Sequence, residues 1–393
     1  MDVVIVANFC MDFTETDNGR FSYLAKLLCE NNEVEIVTSS FYHITKQQRE
    51  TISEHPYKIT LIIEPGYKKN ISIQRFYSHY IWGKNVIKYL KKRKRPDVVY
   101  CAVPSLTAPF FISKHCEINR IRFIVDIQDL WPEAFQMVLN IPVISNLFFL
   151  PFKWVANSIY RRADDVIAVS QTYVDRALSV NTKCECGHSV FLGTNLETFD
   201  ENSKKETFLK KQAGEVWLAY CGTLGKSYDL ECVIDALDYL RNTSIKLIVM
   251  GDGPQKSKFE EYAVQKNVNA YFTGRLPYDD MCALLSECDI TANPIVGTSV
   301  ASIINKHADY VSCGLPVINT QNSVEYQKLI EEYHMGYSVK PGDYRAFADK
   351  LQELVCNEKL RKEMGANARR CAEEKFNRKY TYQELIKVVE NKG

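Results

Sequence analysis

No apolar run in the 393-residue chain approaches the length of about 20 residues that a membrane-crossing helix needs. Long internal repeats and low-complexity tracts are missing too, so repeat architectures and biased tails are set aside. Neither sign of charge prevails. With 49 Lys and Arg against 48 Asp and Glu, the net charge of +1 gives no electrostatic ground for a nucleic-acid partner. The 13 cysteines follow no framework spacing, and Met1-Asp2 ahead of the apolar Val3-Val4-Ile5-Val6 lacks the basic start of a signal peptide. Both absences lead to the expectation of free thiols in a reducing cytoplasm. What is present is a soluble globular composition, 46% hydrophobic and 25% charged. The length exceeds one ordinary core, so two domains are expected.

Apolar runs alternate with amphipathic stretches. Strands are predicted at 3–7, 34–38, 59–63, 98–102, 121–127 and 164–169, with helices at 20–30 and 75–94. The second half repeats the rhythm, with strands at 216–220, 246–251, 270–272, 290–293 and 315–318 and a helix at 230–241. Such alternation implies an α/β fold of two Rossmann-like, doubly wound parallel sheets facing across a cleft, with ligands at the carboxyl ends of the strands. The expected domains are 1–195 and 196–376, and a helical tail at 377–393 is expected to pack back on the first. The polar stretch 195–215 reads as a linker.

One stretch concentrates the chemistry. Residues 302–320 open with a polar turn, continue with helical spacing through Val311, stop at Cys313-Gly314 and end in an apolar strand. The start of such a helix offers free N–H groups and a positive dipole end to an anion. Asn305, Lys306 and Asp309 share one helical face, able to hold a diphosphate at its start and sugar hydroxyls further along. An ordinary polar-faced αβ unit is the alternative for these residues alone. Gly222 and Gly225 allow a phosphate to approach the backbone, and Lys226 can supply a charge; a tight strand-to-helix turn explains the same glycines. Gly251-Asp252-Gly253-Pro254 lacks the third Gly of a dinucleotide fingerprint. Gly274-Arg275-Leu276 can present backbone groups to a base edge. Cys184, Cys186 and His188 are too cramped for zinc and have no fourth ligand nearby in sequence, so they read as loop residues. Residues 147–154 are apolar with basic flanks at Lys153 and Arg161-Arg162, and suit either a bilayer surface or a buried helix. The basic run 91–95 reads as a solvated helix end.

In order along the chain, GTLG (222–225), GDGP (251–254), FTGRLP (272–277), Cys288-Asp289 and HADYVSCGLPVI (307–318) resemble the retaining, GT-B-fold nucleotide-sugar glycosyltransferases of family 4. DIQDLWPE (126–133), RADDVIAVS (162–170) and the interdomain turn LGTNLETF (192–199) extend the resemblance over nearly the whole chain. DLWPE and the loop Tyr67-Lys68-Lys69-Asn70 are similar to enzymes that extend bacterial surface polysaccharide, capsule or O-antigen. The resemblance implies a sugar transfer from a nucleotide-diphosphate sugar, UDP-linked by expectation, to a glycan or lipid-linked acceptor. It implies no protein nucleophile and no metal or other cofactor, and no Asp-x-Asp motif occurs. Catalytic roles then fall to Asp129, Gln128 and Lys226. Donor contacts fall to Gly222, Thr223, Arg275, Leu276, Ile303, Ile304, Asn305, Lys306, Asp309 and Glu325, and acceptor-side positions to Gly19 and Asn70. Four positions depart from the family. Ala301 and Asp309 stand at the two places usually held by Glu, Thr223 replaces a phosphate-binding Arg, and Gln128 replaces a His. A nucleotide-sugar epimerase of the same fold and a noncatalytic partner subunit are the alternatives. A cytoplasmic location with peripheral contact to the inner membrane is the accompanying expectation, without a nucleic-acid partner.

Overall fold

Val- and Ile-rich runs bounded by Gly, Pro, Asn and Asp form parallel strands, fully buried at the centre of each sheet, and the amphipathic segments between them form covering helices. A computed structural model describes the chain except residues 12, 14–18, 50–53, 71, 134–141, 242–243, 298–302 and 392–393, and describes 142–148 by backbone alone. The chain divides into two compact units, Met1–Phe191 with Tyr380–Gly393, and Leu192–Lys379.

The first unit runs β1 (Asp2–Ala7), α1 (Arg20–Leu28), β2 (Glu33–Ser39), a small hairpin of β3 (Phe41–Tyr42) and β4 (Gln47–Gln48), β5 (Lys58–Ile62), α2 (Ile73–Leu90), β6 (Val98–Val103), α3 (Thr107–Asn119), β7 (Arg122–Ile127), α4 (Pro142–Arg162), β8 (Asp165–Ala168), α5 (Gln171–Leu178) and β9 (His188–Ser189). Its main sheet has the order β5-β2-β1-β6-β7-β8-β9, parallel throughout. The order reverses between β1 and β6, which puts the topological switch point at their carboxyl ends.

The second unit runs α6 (Leu196–Asn202), β10 (Val216–Cys221), α7 (Leu230–Leu240), β11 (Ile245–Met250), α8 (Lys256–Gln265), β12 (Ala270–Gly274), α9 (Tyr278–Ser286), β13 (Ile290–Asn293), α10 (Asn305–Ser312), β14 (Val317–Asn319), α11 (Val324–Tyr333), β15 (Gly336–Ser338), α12 (Tyr344–Cys356) and α13 (Glu358–Cys371). Its sheet order is β12-β11-β10-β13-β14-β15, again parallel, with the switch between β10 and β13. After a π-helical turn (Ala372–Phe376), α14 (Arg378–Glu390) closes the chain. Its Tyr382, Leu385, Val388 and Val389 are buried in the first unit's core with Val3, Leu24 and Leu28.

One reading changes. The stretch 195–215 is not simply a linker: it contains α6, capped by the Asn195 side chain and tied to α13 through a bidentate Asp200–Arg369 pair. The short edge strands β9 and β15, with two and three residues, carry too little pattern to be read from sequence.

Candidate active site

In the second unit every loop named as donor-binding leaves the carboxyl edge of the sheet, because all its strands run parallel. Gly222 and Thr223 follow β10, Arg275 and Leu276 follow β12, Ile303 and the N-cap Ile304 lead into α10, which contains Asn305, Lys306 and Asp309, and Glu325 sits in the first turn of α11. The β10 loop is locked to the β11 loop by Gly222 N–H to Met250 O (2.9 Å) and Leu224 N–H to Asp252 O (2.9 Å). A β-carbon at Gly251 would stand 1.8 Å from the Gly222 carbonyl oxygen, so the GDGP glycine serves this backbone crossing.

Helix α10 is pinned by Tyr310. Its hydroxyl accepts from Cys221 N–H (2.9 Å) and donates to the Ala292 carbonyl (3.1 Å), joining the helix to both strands at the switch point. His307, fully buried, stacks on Tyr326 at 3.5 Å between ring centroids, and burial drives its pKa well down, so it stays neutral and structural. Lys306, in the first turn, is only 7% exposed. Its ammonium lies 4.1 Å from the ring centroids of both Tyr220 and Tyr228 and has no hydrogen-bond partner among the described residues. Burial lowers its pKa to about 7. The space where a β-carbon of Gly222 would sit is 3.7 Å from Lys306 Nζ, so Gly222, at φ +134, keeps the approach to the amine small and open.

The shared face of Asn305, Lys306 and Asp309 therefore divides. Asn305 is exposed and Lys306 lies between the two tyrosine rings. The half-buried Asp309 accepts a hydrogen bond from Tyr278 (3.0 Å), whose hydroxyl also meets Thr194 Oγ1 (3.0 Å). Burial raises the Asp309 pKa to about 6, against the hydrogen bond from Tyr278 and the charge of Arg378. Thr223, Lys226 and Arg275 are exposed, Ile303 is buried, and Leu276, Ile304 and Glu325 are half-buried. The position of Ala301 lies outside the described residues. Sequence reasoning missed Tyr220, Tyr228 and Tyr278. The first reads as one more apolar strand residue, and nothing in its spacing shows that a lysine 86 positions later meets it.

In the first unit Gly19 is the N-cap of α1 at the carboxyl edge. Asn70 accepts a hydrogen bond from Lys46 Nζ (2.6 Å) through its side chain and one from Arg75 Nη1 (2.8 Å) through its carbonyl. Gln128 leans on Asp126 (3.4 Å), which is held bidentately by the buried Arg20 at 2.8 and 3.1 Å. Asp129 accepts from Trp131 Nε1 (3.2 Å), and burial raises its pKa. The two neighbouring candidates thus serve different partners. Cys184 donates to the Asp164 carbonyl, and His188 meets Glu384 at 2.8 Å.

Residues 201–371 match the sequence model of the family Glycosyl transferases group 1. An uncharacterised glycosyltransferase of Methanocaldococcus jannaschii, MJ1069, is 24% identical over 243 residues, 61% of each chain. The capsular polysaccharide biosynthesis glycosyltransferase CapM of Staphylococcus aureus is 23% identical over 235 residues, 57% of this chain and 60% of CapM. The chain thus spans about three fifths of the length of these curated relatives. The crystal structure of Anabaena Alr3699/HepE in complex with UDP superposes over the full length of both chains with a TM-score of 0.74 at 15% identity, a likeness of fold. The family match thus covers most of the second unit, and the chain has the GT-B fold.

Proposed function

We propose that the protein is a retaining glycosyltransferase that moves a sugar from a nucleotide-diphosphate sugar, UDP-linked, to a glycan or lipid-linked acceptor in bacterial surface polysaccharide biosynthesis. One observation carries the donor assignment. Lys306 is a buried ammonium without a hydrogen-bond partner among the described residues, in the first turn of α10 and beside a glycine that leaves room for a phosphate. A diphosphate there gains the helix N-terminus and a charge-assisted bond at once. The likeness to CapM and to a protein crystallised with UDP supports the substrate class.

Catalysis in this reading is preorganised electrostatics. The acceptor hydroxyl attacks the anomeric carbon on the face from which the nucleotide leaves. The leaving diphosphate oxygen takes the acceptor proton, and the bond from sugar to diphosphate breaks as the new glycosidic bond forms. Lys306 and the first-turn amides of α10 hold the negative charge that develops. Lys226, exposed at the β10 turn, adds charge from its side, Asp309 orients hydroxyls of the donor, and Asp129 meets the acceptor. Incubation with a panel of UDP- and GDP-sugars and a lipid-diphosphate glycan acceptor, with the product anomer read by NMR, tests the proposal. Transfer with retained configuration is expected. Epimerisation of the donor without acceptor, or absence of donor binding, contradicts it.

A peripheral membrane contact belongs to the same proposal. Exposed Ile73, Tyr77 and Tyr80 of α2 and Leu150 and Trp154 of α4 lie near an aromatic chain formed by Phe76–Phe152 (5.6 Å), Tyr80–Phe111 (5.8 Å) and Phe110–Trp154 (5.7 Å). Lys84 and Lys114 lie over the rings of Tyr80 and Phe110. Aromatic groups edged by lysines suit an anionic lipid surface.

A further inference from the structure

Resting on the transferase reading above, we infer that the first unit holds a second anion site, built to take a phosphate or diphosphate ester carried by the acceptor. Four basic side chains, Arg75 and His79 of α2 and His43 and Lys46 of the turn between β3 and β4, meet at the first turns of α2, at the carboxyl edge of the sheet. Arg75 is 9% exposed, and its guanidinium carbon lies 5.5 Å from the Phe9 ring, 5.4 Å from Tyr67 and 4.8 Å from Trp131. One of its nitrogens donates to the Asn70 carbonyl, and its Nε has no partner among the described residues. His79, 1% exposed, also leaves its Nε2 without a hydrogen bond. Lys46 donates to the Asn70 side chain (2.6 Å) and meets His43 Nδ1 (3.1 Å), while the same His43 nitrogen meets Tyr67 Oη (2.5 Å).

The nearby acids, Glu64 and Asp129, act on Arg75 through charge but are hydrogen-bonded to other partners. Glu64 accepts from Asn8 (3.0 Å) and Ser78 (2.8 Å), and His79 reaches it only at 3.9 Å. Asp129 is occupied by Trp131. The positive potential is visible in the bases themselves. Burial, then Lys46 and Arg75, hold His43 neutral, and burial, then Arg75 and His43, do the same for His79. Unsatisfied donors on a planar guanidinium, a second cation and a helix N-terminus are the ordinary parts of a phosphate cradle. On the outer side of the same helix Ile73 and Tyr77 are exposed, so a phosphate at Arg75 lies one helix width from the proposed lipid surface.

The test keeps the full chain saturated with UDP, so that the donor site is filled, and titrates inorganic diphosphate by calorimetry. Saturable binding is expected. It should fall about tenfold or more in Arg75→Gln and in Lys46→Gln, with UDP affinity and thermal midpoint unchanged, and Arg75→Lys should keep part of it. Absence of diphosphate binding to the UDP-saturated protein overturns the inference, as does equal binding in the variants or a preference for glucuronate. Failure of UDP itself to bind defeats the donor reading instead. Vesicles carrying an isoprenoid diphosphate, compared with phosphatidylglycerol vesicles of equal charge, separate the sources. Greater retention on the first, lost in Arg75→Gln, assigns the anion to a lipid. Equal retention, with the inorganic probe still bound, assigns it to a soluble acceptor.

Discussion

Lys306 occupies a place where a lysine costs stability. Its pKa is lowered from 10.5 to about 7, so below pH 7 the folded protein bears the full expense of a buried charge. Between pH 7 and 10.5 the unfolded chain binds more protons than the folded one, and stability rises with pH there. Lys306→Met, similar in volume and free of charge, should therefore raise the unfolding free energy at pH 7 by about 2–4 kcal/mol, and the gain should shrink towards pH 10. Urea titrations at both pH values check this; an equal or absent gain contradicts it. Asp309 carries a separate expectation. A carboxylate bonded to donor hydroxyls is worth roughly 1.5–3 kcal/mol, so Asp309→Ala should lower kcat/KM about tenfold to a hundredfold. Asp309→Glu should retain much more. A local Lys306–Asp309 ion pair is not what holds this carboxylate, since its partner is Tyr278. Unchanged turnover in a folded Asp309→Ala protein would remove Asp309 from the site.

At the scale of elements, Arg20 joins α1, β7 and α14. It is paired with Asp126, donates to the carbonyls of Val190 and Phe191 and to the Tyr382 hydroxyl, and is fully enclosed. Removing one partner of such a pair leaves an uncompensated buried charge, costing about 3–5 kcal/mol. Asp126→Ala should lower stability by that amount, and Arg20→Met with Asp126→Leu should recover most of it. Denaturation of the single and double variants decides; additive losses contradict the account. The strands that organise these contacts were readable because parallel strands buried on both faces leave continuous Val and Ile runs, as at Val3–Val6. Helix α10 was readable from its closing Cys313-Gly314, and Gly314 does adopt φ +67. The aromatic clamp on Lys306 was not readable, because its parts come from β10, the following loop and α10, and only the folded sheet brings them together. The Arg75 cluster escaped for the same reason, although Asn70 within it was named from its motif.

For the molecule as a whole, the described side chains of the apolar stretch, from Phe149 to Trp154, divide between two faces. Phe149 is buried, while Leu150 and Trp154 are exposed, 54% and 59%. The membrane test therefore belongs on exposed positions. Sedimentation with anionic vesicles should fall as salt rises, through screening of the lysines, and should fall about tenfold more in Ile73→Ser with Trp154→Ser. Binding that ignores both changes would return this surface to the aqueous phase. No helix among the described residues is long and apolar enough to cross a membrane.

The most direct measurement is a calorimetric titration of UDP-glucose, whose diphosphate does not titrate near neutrality, into the wild-type protein at pH 7 and pH 9. If the diphosphate seats on Lys306, binding recruits a proton once the amine is neutral, and affinity should fall by about tenfold per pH unit above 7. Lys306→Met should bind about tenfold to a hundredfold more weakly at pH 7 and show no such slope. Wild-type affinity in Lys306→Met, or a wild-type affinity that does not change between the two pH values, would contradict the assignment.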